Sequence, residues 1–219
     1  MMRLLMTLTV AAAITLVAGL WIPLKAQLAQ QLLNMAWAQS QAEQARTRPW
    51  PWADTWPVGR LRLPEDNEPL VVLAGTSGES LAFGPGHVTA SALPGQPGTV
   101  ILAGHRDTHF SVLQEIRVGD RLALQGLDGD WRRYRVVNER VVDSRQSRLD
   151  FRPDGTNRLI LVTCYPFDAL DPHGPLRYVI EAEDLAGLET DGHVAVRPIR
   201  KPAKIPSGSD LLTSASVGF

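Results

Sequence analysis

The chain has one cysteine, Cys164, and so cannot make an internal disulfide. Its fold must be held by its core alone. The missing bridge does not fix the compartment, because exported proteins need not carry disulfides. An excess of charge is lacking too: 22 basic against 23 acidic residues leave a net charge of −1. Nucleic-acid binders are usually basic or carry a basic face, so no nucleic-acid partner is expected. No EF-hand pattern occurs, which leaves calcium without support, and no internal repeat is visible.

Two local absences are more telling. From Leu4 to Ile22, "LLMTLTVAAAITLVAGLWI", nineteen residues pass without a charge. At ~1.5 Å per residue that stretch reaches roughly the ~30 Å of a bilayer's hydrocarbon core. Trp21 stands at its far end, where interfacial aromatics belong. Arg3 and the terminal amine precede it and Lys25 follows, which favours the N-terminus inside. A cleaved signal peptide is the rival reading. Its A-x-A form is present at Ala36-Trp37-Ala38, but far beyond the apolar run. The spacing predicts an uncleaved anchor over 1–23, and on either reading the remainder is exported. The second absence is of Gly and Pro across "LKAQLAQQLLNMAWAQSQAEQARTR", from Leu24 to Arg48. A helix is predicted from about Lys25 to Arg46, packing on the domain through Leu32, Met35 and Trp37. The Pro- and Trp-rich "RPWPWADTWP" completes a lead-in over 24–55. Its aromatics are expected to cover an edge of the domain.

With 219 residues there is room for one domain with a real core, plus appendages. That domain is placed at 56–183. There, short apolar runs are cut by turn residues: "VGRLRL", "PLVVLAG", "GTVILAG", "DRLALQG", "RRYRVVNERVV", "RLILVTC" and "RYVIEAE". Many short strands with turn signals predict an all-β sandwich or closed barrel. "FSVLQEI" reads as one helical turn. The extension over 184–219 is largely polar. Its basic cluster (Arg197, Arg200, Lys201, Lys204) is offset by Asp184, Glu189, Asp191 and Asp210, and reads as a solvated tail with one alternating run, "HVAVRPI".

Three residues at strand ends could carry chemistry. Cys164 ends "LILVTC", His105 follows "TVILAG", and Arg177 opens "RYVIEAE". Groups at strand ends lie at a rim that substrates can reach. Cys164 shares a strand face with Val162 and Ile160. Taken singly, each has a bland reading: a lone cysteine is more often a small buried hydrophobe. The H-x-D-x-H spacing of His105, Asp107 and His109 resembles a metal cradle. It lacks a third or fourth ligand, since His87, His173 and His193 show no clustered spacing, and no metal is expected.

Together the segments resemble the sortases, a family of membrane-anchored cysteine transpeptidases. "VILAGHRDTHFSVLQEIRVGDRLAL" resembles the histidine strand and loop, "LILVTCYPF" the cysteine strand, and "GPLRYVIEAE" the arginine strand. They stand in family order across roughly Trp56 to Glu183, and the general form is similar to that of proteobacterial sortases. The cysteine strand usually reads T-L-x-T-C. Leu161, Thr163 and Cys164 match it, while Ile160 replaces the first threonine. Asp168, Asp171 and His173, in the loop after Cys164, take no role from the family.

The resemblance implies a closed sortase-type β-barrel of about eight strands with short helices, preceded by a transmembrane helix and a second helix. It implies Cys164 as nucleophile, His105 as general acid/base and Arg177 as stabiliser of the oxyanion or substrate. Thr163, Tyr165 and Asp107 are expected substrate contacts, joined by His173 from the unassigned loop, which is expected to help select the substrate; Asp107 could instead orient His105 or shape its loop. The implied reaction cleaves the C-terminal sorting signal of an exported protein through a thioacyl-enzyme and passes the carbonyl to an amine acceptor. No cofactor is implied. The implied location is the bacterial cytoplasmic membrane, single-pass through residues 4–22, with the N-terminus cytoplasmic and the catalytic domain outside. An endopeptidase that releases product to water, or a binding module with an inert Cys164, are the alternatives.

Overall fold

The computed structural model describes residues 2–64, 68–146, 156–169 and 174–186, leaving out most side chains of 4–22. His173, Asp171, the "HVAVRPI" run and nearly all of the C-terminal extension lie outside the described residues. Eight strands form a closed barrel: β1 Pro57–Arg62, β2 Leu70–Ala74, β3 Gly86–His87, β4 Thr99–Ala103, β5 Arg121–Gln125, β6 Trp131–Asp143, β7 Arg158–Cys164 and β8 Leu176–Asp184. Around the barrel the order is β1-β2-β3-β4-β7-β8-β6-β5, and β5 closes on β1. Pairs β2/β3 and β4/β7 are parallel; the others are antiparallel. The open choice between sandwich and barrel is thus resolved as a barrel.

The seven apolar runs of the sequence each supply one strand. The two-residue β3 and the helix α2, Gly78–Phe83, give no periodic signal long enough to see. "FSVLQEI" contributes a 3-10 turn at Ser111–Gln114.

Period-two alternation fills the barrel from every side. On β7 the inward positions are Leu159 and Leu161, packed with Val100 and Leu102 of β4 and Ile180 of β8. Phe110, Leu113 and Ile116 from the turn after β4 plug the same core. Leu161 is fully buried. Replacing it with alanine should lower the unfolding free energy by about 2–5 kcal/mol, read from the denaturant midpoint of the full chain in detergent.

The N-terminal segment departs from the expectation of two helices. One helix, α1, runs Met2–Glu43 through Pro23. Pro23 lacks a backbone N–H and its ring crowds the carbonyl four residues back, yet the helix continues through it. Among the described residues no helix is long and apolar enough to cross a membrane. The expected packing face is also corrected. Trp37 is buried as expected, but with Ala29, Leu33, Ala36 and Ser40, whereas Leu32 is half-buried and Met35 is 66% exposed. At ~100° per residue, Met35 lies nearly opposite Leu33. Polar contacts hold the dock: Gln30 Nε2 donates to Phe83 O at 2.8 Å, Arg60 Nη2 to Asn34 Oδ1 at 2.6 Å, and Gln44 Nε2 to Leu127 O at 3.0 Å. In the lead-in, Trp50 packs edge-on against Phe83 at 5.3 Å and Arg46 lies over Trp56, while Trp52 is 79% exposed.

His87, on β3, is a buried histidine outside the candidate site. Its Nε2 lies 2.9 Å from Ala92 O and 3.1 Å from Ser91 Oγ. Burial lowers its pKa, against a smaller upward effect of the Ala92 carbonyl. The unfolded chain therefore takes up this proton first, near the ordinary ~6.5, as pH falls. Stability should hold above that pH and decline below it. Denaturant midpoints at pH 7.5 and 5.5 should diverge, and His87→Gln should narrow the difference.

Candidate active site

Register brings Cys164 and Arg177 together. They are the last partners on the β7/β8 ladder, directly opposite each other across two antiparallel strands. His105 arrives from the other side of β7. The parallel β4/β7 register pairs Ala103 with Val162. It continues one step further, because Gly104 N donates to Val162 O at 3.1 Å. His105 is the next residue after Gly104, and Cys164 lies two residues beyond Val162 on β7. Cys164 and Arg177 thus stand at paired ends of β7 and β8, and His105 follows two residues past the end of β4, the strand on the other side of β7.

Local sequence fixes each of them. Gly104 is required by close packing: a Cβ there would lie 2.7 Å from the Phe110 ring. The buried Phe110 closes the turn by donating its N–H to His105 O at 3.0 Å. Thr163 points inward and is buried, and its hydroxyl donates to Gly104 O at 2.7 Å. Thr163 therefore ties the cysteine strand to the histidine loop. His105 is exposed and Cys164 half-buried, and no hydrogen bond joins them among the described residues. Arg177 Nη1 donates to Gly174 O at 2.6 Å and to Leu176 O at 2.8 Å, which orients the guanidinium at the end of the loop.

The loop after Cys164 is held from two sides. Arg106 Nη1 and Nη2 donate to Pro166 O at 2.9 Å and Ala169 O at 2.5 Å. Tyr165 stacks on Tyr178 at 6.3 Å, and Phe167 meets Tyr178 edge-on at 5.4 Å. Tyr178 Oη donates to Glu139 at 2.8 Å. Burial first, then that bond, drives its phenol pKa well upward, so it stays a donor. An open groove of about 540 Å³ lies between this loop and the histidine loop, lined by Asp107, Ser111, Gln114, Tyr165, Phe167 and Asp168 among others. Asp107 is exposed at its wall and makes no bond to His105 among the described residues. His109 is half-buried; burial, then the neighbouring charge of His105, lowers its pKa. No group of three or more metal-ligating side chains occurs among the described residues.

Arg106, Gly104 and Glu139 were not singled out by the sequence. Arg106 stands beside His105, but its partner carbonyls lie some sixty residues on and only the fold supplies them.

The fold and site define a class: closed eight-stranded barrels with a cysteine and an arginine paired at the ends of two strands and a histidine just past the end of the neighbouring one. The sortase domain model matches residues 61–185, more than half of the chain. The chain belongs to the sortase family. It is similar to sortase D of Bacillus subtilis, with 35% identity over 122 residues, covering 56% of this chain and 61% of that protein. The match thus spans less than two thirds of that relative's length. Its fold is similar to sortase A from Corynebacterium diphtheriae, with TM-score 0.53, 24% identity, and 61% of this chain and 63% of that one covered. It is also similar to the sortase D5 transpeptidase of Clostridium perfringens, with TM-score 0.57, 18% identity, and 73% and 99% covered.

Proposed function

We propose that the chain is a membrane-anchored cysteine transpeptidase acting on a C-terminal sorting signal of an exported protein. The observation that carries this reading is the register that sets Cys164 opposite Arg177, with His105 two residues past the end of β4, the strand on the other side of β7. The Cys164 thiolate attacks the peptide carbonyl. Arg177 stabilises the developing oxyanion, and His105 gives a proton to the departing amine. The acyl group stays on Cys164 as a thioester until an acceptor amine attacks, loses a proton to His105 and restores the thiolate.

Behind Cys164, on the same face of β7, the buried Ile160 packs with Ile101 and Val179 in a second apolar cluster, flanked by the partly buried Val88, Val142 and Val162, which gives the cysteine a firm backing. The anchor reading rests on the charge-free run over 4–22, continuous in α1 with the part docked on the barrel from Ala29 onward. The barrel is thereby held close to the outer surface of the membrane, where a sorting signal emerges.

The test is incubation of the full chain in detergent with a sorting-signal peptide and a primary amine. Mass spectrometry should show an acyl adduct on Cys164, then product carrying the amine. Product that never contains the amine, at saturating acceptor, means an endopeptidase. A Cys164 inert to peptide and thiol reagents means a binding module.

A further inference from the structure

Helix α1 bears apolar side chains on two opposite sides. Ala29, Leu33, Ala36 and Trp37 are sealed against the barrel. The other side presents Trp21, Leu24, Leu28 and Met35, which are 55%, 62%, 58% and 66% exposed. These positions continue through Gln31, Ala38 and Ala42 with alternating steps of three and four, and every one of them is exposed. Such spacing is the a/d seam of a left-handed coiled coil. Small residues at Ala38 and Ala42 let two backbones approach. No charge occurs between Lys25 and Glu43. A solvated helix face is ordinarily laced with charges, whereas an uncharged one meets an identical copy without repulsion.

The bilayer does not account for the whole seam. Met35 stands thirteen residues past Ile22, about 20 Å beyond the hydrocarbon at ~1.5 Å per residue. The headgroup layer is only about 5–8 Å deep. We propose that a second copy of this chain docks along the seam, giving a parallel two-stranded coiled coil continuous with the membrane segment. The parallel sense rests on the anchor reading, since both N-termini then lie on one side of one bilayer. Upstream, the same spacing falls on Val17, Ile14 and Val10. The 42 residues of α1 extend about 63 Å, so a strip ~10 Å wide offers about 600 Å² per copy. A standard interface has ~800 Å² per partner, and confinement to a bilayer lowers the affinity required. The barrels dock on the far side of each helix and do not obstruct the pairing.

The test uses the full chain in membranes with Cys164→Ala, so that an added cysteine is the only thiol. Met35→Cys treated with a short bis-maleimide should give mostly covalent dimer, at least ten-fold more than Val118→Cys, an exposed barrel position. Adding Leu28→Glu should cut the dimer at least five-fold. Recovery of the chain in the soluble fraction overturns the anchor reading and the parallel arrangement with it. A membrane-bound chain in which Met35→Cys cross-links no better than Val118→Cys overturns the seam alone. Shielding of the Met35→Cys thiol from a charged maleimide without dimer overturns it in favour of a different protein.

Discussion

Cys164→Ala should reduce turnover of a sorting-signal peptide by about four orders of magnitude or more, to the background of uncatalysed cleavage. The methyl group can form no thioester, so both halves of the reaction lose their shared intermediate. The substitution is structurally mild. Cys164 is half-buried at a strand end, makes no hydrogen bond among the described residues, and lies outside the barrel core. Its unfolding free energy should therefore stay within about 1 kcal/mol of the parent. An internally quenched peptide gives the rate and a thermal melt gives the control. Full turnover by a folded Cys164→Ala chain would end the covalent reading, because no other cysteine exists to replace it.

The barrel was legible because each strand had to alternate to line a core, and alternation survives in a bare sequence. "RLILVTC" marks β7 over the whole of Arg158–Cys164. The same period shows that Thr163, two places from Leu161, faces inward, which explains why it bonds the Gly104 carbonyl at a strand junction. What stayed hidden depends on relations between distant segments. The sequence placed Cys164 and Arg177 at strand ends, but only the β7/β8 register makes them opposite partners. Nothing in the sequence marks Arg106, because its partners at Pro166 and Ala169 come within its reach only in the fold. Helix α1 misled for a related reason. Apolar residues on two sides give two candidate packing faces, and nothing local decides which one the barrel takes. The barrel takes Leu33 and leaves Met35 exposed.

Arg177→Lys should lower kcat by about 10²–10³-fold while changing KM by only a few-fold. On the proposed mechanism the guanidinium has two tasks that an ammonium cannot share. One nitrogen, Nη1, is committed to the Gly174 and Leu176 carbonyls and fixes the group against the end of the β7/β8 loop. The remaining N–H donors of the planar fork, Nε and Nη2, are on that mechanism those that meet the oxyanion. A lysine keeps the charge but is a single flexible point. If it turns to the carbonyls it leaves the oxyanion, and if it turns to the oxyanion it releases the loop. A pure charge effect predicts near-complete rescue by lysine and a large loss only in Arg177→Ala. A pure anchoring effect predicts that both variants raise KM and leave single-turnover acylation of Cys164 intact. Oxyanion stabilisation by an oriented fork predicts slow acylation in both, with lysine recovering little. Acylation rates of the three chains, measured by rapid quench with one sorting-signal peptide, separate these cases, and acylation by Arg177→Lys at the parent rate would remove Arg177 from the chemical step.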